Sequence, residues 1–358
     1  MLWIHRTIKA VALICLLGVL TSCWDNRDIN HRSLPVVMGI SYHSGLYKVV
    51  LQIPEPLQDG INLRILTQTG RTINQAVDLM SERMESQIDL LHLKVIMIEQ
   101  EYAKRGLSDS VTSFMRARDI SPKTLVVICD EDLDEFFDRV QKTMAPKGTT
   151  LYDCFEKNAG WNPQMALTRL WQVYRSIHSF TRDVAIPIYK FGASGTVDYI
   201  GSAIIKNGKM VDRLTPNETL LFNSVNGVSA QGKIEVMNNA SVLILNNTVS
   251  HRSKMVGGTP HLEITITLKL SVLETKGSTT SKMIGDNLKE VLTKRLNNLL
   301  AKIKKSEADI LGVGQYFRNK MPRTELRHWR TEYLPRLELD LKVNPIIQNE
   351  GNLKLPQD

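Results

Sequence analysis

Residues 262–272 of this sequence read Leu-Glu-Ile-Thr-Ile-Thr-Leu-Lys-Leu-Ser-Val. Every second residue is aliphatic, and every residue between is polar or charged. Because successive side chains of a strand point to opposite faces, this pattern predicts a long strand with one buried and one solvated face. One-sided burial of this kind is typical of an antiparallel sheet.

Two further patterns surround this strand and predict what covers its buried face. Apolar residues recur at helical spacing between Ile284 and Ile303, which indicates a helix of about six turns. Leu337 to Val343 alternates again and predicts another strand. The C-terminal part of the chain, residues 196–350, is therefore predicted to be an α+β domain in which a long helix packs on an antiparallel sheet.

That domain is predicted to begin with a hairpin and a short helix. The hairpin joins Tyr199–Ile205 to Lys209–Arg213 through Asn207-Gly208, a strong two-residue turn signal. Thr215-Pro216-Asn217-Glu218 then supplies a helix cap, a first-turn proline and a capping-box glutamate.

The N-terminal half alternates strands with helices, which predicts a mixed α/β region. Val36–Ile40 and Tyr47–Ile53 are rich in β-branched residues and predict a hairpin whose second strand ends at Pro54 and Pro56. Helical spacing follows from Ile73 to Met84. Short apolar runs predict three buried strands, Leu93–Ile98, Leu125–Cys129 and Val184–Tyr189. Helical spacing recurs between them, and the last predicted helix is Gln164–Phe180.

Gly192-Ala193-Ser194-Gly195 separates these two textures and is the predicted domain boundary. The predicted organisation is a signal peptide at 1–22, an α/β region at 23–191 and the α+β domain at 196–350.

The N-terminus has the layout of an export signal. Arg6 and Lys9 precede an apolar run of eleven residues, Ala10–Leu20, which is short against the roughly 20 residues of a membrane-spanning helix. The run ends in Leu20-Thr21-Ser22-Cys23, which resembles the bacterial lipobox. Cleavage before Cys23 would leave this residue to carry S-diacylglycerol and an N-acyl chain, and acyl chains of this number anchor a protein stably. Membrane lipid is thus the first predicted partner, with the protein on the outer leaflet.

The net charge and the export signal indicate which classes of partner suit this chain. The formal charge is +8, and removing Arg6 and Lys9 with the signal lowers it to +6, a surplus that suits a position beside anionic lipid. Nucleic acid is a poor partner for an exported chain.

Cys129 and Cys154 leave a disulfide possible, although two buried free thiols are the commoner outcome for such a pair.

No pattern in the sequence predicts a catalytic, metal or cofactor site. The zinc motif H-E-x-x-H is absent, and Gly192 to Thr196 lacks the final glycine of a nucleophile elbow. Gly312-Val313-Gly314 lacks the third glycine of a dinucleotide loop. The histidines are scattered without ligand spacing. These absences favour a protein that is not an enzyme.

Three parts of the sequence carry a resemblance to a known family: Cys23–Ile29, the pair Val37–Ser41 and Tyr47–Pro54, and Gly70–Ala76. They resemble the Ger(x)C lipoproteins of endospore-forming bacteria. Cys23–Ile29 is similar to that family's opening after the lipobox, and Val37–Ser41 with Tyr47–Pro54 is similar to its first strand pair. One departure is Ser41, where family members often carry an aspartate.

The order of later positions strengthens the resemblance. His92, Arg116, Gly201-Ser202-Ala203, Asn207-Gly208 and Trp329 stand where the family's recurring positions fall. His92 and Arg116 are expected to be internal polar anchors.

The resemblance implies a function as well as a fold. It implies a non-enzymatic C subunit of a nutrient germinant receptor, needed for receptor assembly and spore germination, with integral-membrane A and B subunits as partners at the spore inner membrane. It implies three α/β domains, two before the predicted boundary. Two alternatives stay open: an extracytoplasmic solute-binding lipoprotein, and an envelope hydrolase.

Overall fold

The protein is described from a computed structural model. It describes residues 3, 4, 6, 31–57, 60–117, 119–143, 151–155, 162–228, 230–232, 234–237 and 239–349. The predicted signal peptide is almost entirely outside this set, and so is Cys23.

An eight-stranded sheet organises the first two thirds of the described chain. Two short strands, β1 (Arg32–Ser33) and β5 (Gln87–Ile88), pair separately. The strands of the large sheet are β2 (Val37–His43), β3 (Leu46–Leu57), β4 (Gly60–Gly70), β6 (Val95–Glu99), β7 (Leu125–Cys129), β8 (Val184–Phe191), β9 (Val197–Lys206) and β10 (Lys209–Leu214). Their order is β10-β9-β8-β7-β6-β2-β3-β4. The four central strands, β8-β7-β6-β2, run parallel, and the strands outside them run antiparallel.

Separate cores cover the two faces of this sheet, as alternation along the strands requires. In β6, Ile96 and Ile98 join the core beneath four helices, whereas Val95 and Met97 join the core on the opposite face. The four helices are α1 (Ile73–Ser81), α2 (Gln100–Arg105), α3 (Ser108–Ala117) and α5 (Leu170–Ile177), and the opposite face holds α4 (Leu133–Thr143) and residues 151–155. The predicted mixed α/β half is confirmed.

A second sheet forms the C-terminal part. Its strands are β11 (Ile234–Val236), β12 (Ala240–Val256), β13 (Thr259–Thr275) and β14 (Glu338–Asn349). The helices are α6 (Pro216–Val225), α7 (Ser281–Ser306), α8 (Arg323–Leu326) and α9 (Leu334–Arg336). β11, β12 and β13 pair antiparallel, and β14 adds to β13 in parallel.

The long helix α7 packs on this sheet as predicted. Its apolar stripe, from Ile284 to Ile303, is buried in one core with the inward residues of β13. Thr280 caps its start by accepting a hydrogen bond from the backbone N–H of Met283. The antiparallel sheet packed by a long helix is confirmed, and the α+β class with it.

The structure corrects the predicted end of the second strand. β3 continues through Pro54 and Pro56 to Leu57. The backbone N–H of Val36 donates to the carbonyl of Gln52, so even-numbered residues of β3 turn their backbone groups toward β2. β2 begins at Val37, the partner of Gln52. The backbone nitrogens of Pro54 and Pro56 therefore lie beyond the paired part of β2, where a missing N–H costs no ladder hydrogen bond.

The structure also shortens the predicted helix at 164–180. Only Leu170–Ile177 is helical. Residues 163–165 form a turn and a bend, and the chain then pairs with the large sheet. The Thr168 carbonyl accepts from the N–H of Val126 in β7, and the Thr168 hydroxyl donates to the carbonyl of Ala185 in β8. Tertiary pairing thus overrides the local helical spacing.

The predicted boundary at 192–195 forms the turn between β8 and β9. Gly195 has a φ of +75°, which glycine adopts without strain. β9 and β10 pair onto β8 and complete the large sheet. The division into domains at this turn stays a prediction.

Candidate functional site

The predicted lipid-attachment residue, Cys23, lies outside the described residues. Lipid attachment at this cysteine therefore stays a prediction. Among the residues that the structure covers, no helix is long and apolar enough to cross a membrane.

Cys129 and Cys154, the cysteines in the described ranges, are not joined by a disulfide. Cys129 is buried at the end of β7, and Cys154 is half-buried. Burial raises the pKa of the Cys129 thiol to about 12, so it stays protonated and unreactive near neutral pH.

In the described ranges, no group of three or more His, Cys, Asp or Glu side chains could hold a metal ion. Five of the seven histidines in the described ranges each contact an acidic or aromatic side chain, at five separate places. The pairs are His43 with Glu99, His178 with Tyr174, His251 with Tyr316, His261 with Glu338 and His328 with Glu332.

The positions that carried the family resemblance divide into exposed and buried ones. His92 and Arg116 are exposed, so the expectation that they are internal polar anchors is wrong. Gly201, by contrast, sits at a crowded point of β9 with a φ of +137°. A Cβ there would lie 2.1 Å from the carbonyl oxygen of Leu214, so only glycine fits.

Trp329, the last of these positions, is fully buried and belongs to a polar junction between the large sheet and the C-terminal core. Asp183, which directly precedes β8, lies at the centre of this junction. Arg330 donates to both oxygens of this carboxylate, from Nε to Oδ2 and from Nη2 to Oδ1, each over 2.8 Å. The backbone N–H groups of Asp309 and Asn207 also donate to it, over 2.8 and 3.3 Å. Planar, bidentate pairing of this kind is the strong form of a carboxylate–arginine contact.

Asp309 is the second buried carboxylate of the junction. It accepts hydrogen bonds from the backbone N–H groups of Val313 and Gly314 at 2.9 and 2.8 Å, and from the indole Nε1 of Trp329 at 2.8 Å. Burial raises the pKa of Asp309 to about 7, although these donors oppose the rise. Backbone N–H groups of the Gly312-Val313-Gly314 segment thus bind the buried carboxylate of Asp309.

None of the carboxylates and arginines of this junction was predicted from the sequence. Asp183 and Arg330 are 147 positions apart, and neither stands in a motif. The only available signal was Trp329, which the family resemblance singled out one position before Arg330.

A cavity of about 870 Å³ lies beside this junction, bounded by α5, the start of β8 and α6. Two arginines, Arg175 and Arg182, line it.

Two protein-family models match this chain, one over each half. The family model for the spore germination protein N-terminal domain matches residues 25–191, and the model for the spore germination B3/GerAC-like C-terminal domain matches residues 200–351. Together they cover almost all of the chain that follows the predicted signal. The chain therefore belongs to the GerAC family of spore germination proteins, which confirms the predicted resemblance.

Individual relatives are distant but similar over most of their length. Spore germination protein KC of Bacillus subtilis (strain 168) is 21% identical, with 97% of each chain covered. Spore germination protein GerQC of Bacillus cereus is 21% identical over 75% of this chain and 76% of its own. The crystal structure of the GerBC protein superposes with a TM-score of 0.59 at 16% identity, covering 87% of this chain and 97% of that one. At this identity the superposition shows a shared fold.

Proposed function

We propose that this chain is the lipid-anchored, non-enzymatic C subunit of a membrane nutrient germinant receptor, needed for receptor assembly and spore germination. The observation that carries the proposal is the match of both halves of the chain, in order, to spore germination family models. Its partners are then the receptor's A and B subunits.

The N-terminal sequence supports an anchor. The lipobox-like Leu20-Thr21-Ser22-Cys23 follows an apolar run too short for a comfortable span, so Cys23 would hold the protein to the outer leaflet of the spore inner membrane. Confinement to the membrane plane raises the effective concentration of each partner, as a short tether does. Weak contacts with the A and B subunits could then sustain a complex.

The described geometry favours this role over the two alternatives. A solute-binding lipoprotein is expected to have two similar lobes on parallel sheets around a cleft. Here a mixed eight-stranded sheet is joined to a largely antiparallel four-stranded sheet. An envelope hydrolase needs an acid, base or nucleophile converging in a pocket. The buried carboxylates Asp183 and Asp309 are instead occupied by Arg330, backbone N–H groups and Trp329.

Lipid attachment can be tested with a radioactive fatty acid during sporulation. We expect label in the wild-type chain and none in Cys23→Ala, because the acylated sulfur and N-terminus would be lost. Cys15→Ala is the matched control, since Cys15 lies in the apolar run that is removed with the signal. Label that persists in Cys23→Ala would show that the lipid is carried elsewhere.

The receptor role can be tested in spores. We expect the A and B subunits to copurify with the wild-type chain from detergent-solubilised spore membranes, and germination to be lost or slowed in Cys23→Ala spores for one nutrient only. Normal germination with every nutrient in spores that lack this chain would contradict the proposal.

A further inference from the structure

The cavity beside the buried junction has a composition that suits a ligand. Its volume, about 870 Å³, lies in the range of about 300–1,000 Å³ that is usual for small-molecule sites. Arg175, Arg182 and the amide side chain of Gln172 line it together with Met165, Phe222 and Ile310. The wall is mixed, because asparagine side chains and Asp183 also line it, and a wall that combines apolar and charged groups suits an amphipathic molecule.

Arg175 brings to this cavity a charged group with one buried nitrogen that has no partner among the described residues. It lies in α5, and its Nε is buried without a hydrogen-bond partner among the described residues. Its guanidinium carbon stands 4.8 Å from the centre of the Trp171 ring. Burial and the charge of Arg182 lower the pKa of Arg175, because both disfavour its cationic form.

Arg182 brings a second charge to the same wall. Its Nη2 donates to Oδ1 of Asn226 over 3.2 Å. A Cβ on Gly312 would lie 2.8 Å from Nε of Arg182, so glycine at that position leaves room for this side chain. The neighbouring carboxylate, Asp183, is already paired with Arg330.

No ion pair to Arg175 or Arg182 occurs in the part of the chain that the structure describes. Guanidinium groups stay charged at neutral pH, and partly burying two that repel each other is unfavourable unless an anion compensates them. Carboxylates and phosphates both match the planar donor geometry of arginine, and the apolar residues Met165, Phe222 and Ile310 of the same wall favour an anion with a hydrocarbon body.

We propose that this cavity binds a small organic acid, with its carboxylate between Arg175 and Arg182 and its apolar body against Met165, Phe222 and Ile310. The site is independent of the receptor assignment, because only residues of this chain form it.

Calorimetric titration of the full chain in detergent tests the proposal, with 4-methylpentanoate, acetate and inorganic phosphate as separate probes. We expect saturable binding of 4-methylpentanoate, at least tenfold tighter than acetate because its longer body buries additional methylene groups. Arg175→Gln and Arg182→Gln should each weaken binding by about tenfold to a hundredfold, the value of a charged hydrogen bond. Arg116→Gln, an exposed change outside the cavity, should bind as the wild type does.

Thermal unfolding of each variant checks that it folds, and Arg175→Met, which keeps the aliphatic stem beside Trp171, serves if a glutamine variant unfolds. Absence of saturable binding at millimolar 4-methylpentanoate would overturn the proposal. So would undiminished binding in folded Arg175 and Arg182 variants. Phosphate that binds as tightly as 4-methylpentanoate would overturn the assignment to an organic acid.

Discussion

Asp183 and Arg330 form a buried pair that joins the large sheet to the C-terminal core. Asp183 is fully buried, and both of its oxygens accept from Arg330. Arg330→Met would leave this carboxylate without its counter-charge, so we expect the free energy of unfolding to fall by about 3–5 kcal/mol. Urea unfolding followed by circular dichroism measures the change.

Arg318→Met is the matched control, because Arg318 is exposed and its loss should change stability by no more than about 0.5 kcal/mol. In the double variant Asp183→Asn/Arg330→Met both charges are gone, and the loss should be smaller than the sum of the two single losses. Simple additivity would show that the two residues are not coupled.

Asp309 should make stability depend on pH. In the unfolded chain this carboxyl ionises near 3.8, whereas burial raises its pKa in the folded protein to about 7. Between these values the native state holds a proton that the unfolded state releases. The stabilisation is therefore present below the lower value and is lost as the pH rises through the upper one, by at most about 1.4 kcal/mol per pH unit.

Asp309→Asn removes this titration. We expect the variant to be less stable, because an amide N–H₂ would face a backbone or indole donor, but its stability should vary less with pH than that of the wild type. Urea unfolding from about pH 4.5 to 7.5 compares the slopes, with the exposed Asp340→Asn as control. Parallel curves for Asp309→Asn and wild type would rule out Asp309 as the source.

Helix α6 shows how far a local signal can specify an element. The Thr215 hydroxyl accepts from the N–H of Glu218 over 3.3 Å, and the Glu218 carboxylate accepts from the N–H of Thr215 over 2.8 Å, as the capping-box pattern predicts. Lys302 of α7 donates to the same carboxylate over 2.7 Å. One glutamate thus fixes the start of α6 and its contact with α7.

Thr215→Ala should lower the free energy of unfolding by about 1 kcal/mol, because the N–H of Glu218 loses its cap. Ser113→Ala, at an exposed position inside α3, should have an effect within about 0.5 kcal/mol. Equal urea midpoints for the two variants would mean that the cap does not stabilise the protein.

The arrangement of the whole molecule tests the predicted boundary at 192–195. A chain that ends after Phe191 leaves β8 without the partner β9, whereas a chain that ends after Leu214 keeps all eight strands of the large sheet. We expect the longer fragment to be the more stable of the two, because the shorter one exposes an unpaired strand edge. Urea unfolding and light scattering compare them. If both fragments unfold cooperatively with the same stability, the division at 192–195 is supported.

Elements whose signal lies within one short segment were predictable. The stripe of α7, the alternation of β13 and the cap of α6 each reflect contacts that repeat every few residues, so the sequence carries them directly. The export signal and the lipobox-like Cys23 are also local patterns, and both stay predictions.

Only the tertiary structure decided what pairs at long range. β12 has no clear alternation and was not predicted, because its formation depends on pairing with β13 and not on its own periodicity. The same dependence pairs Thr168 with the large sheet, places β9 and β10 in that sheet and orients β14 parallel to β13. The fold alone supplies the contacts of Asp183, Arg330 and the two cavity arginines. Asp183 and Arg330 are 147 positions apart, and no spacing along the chain indicates a contact over that separation.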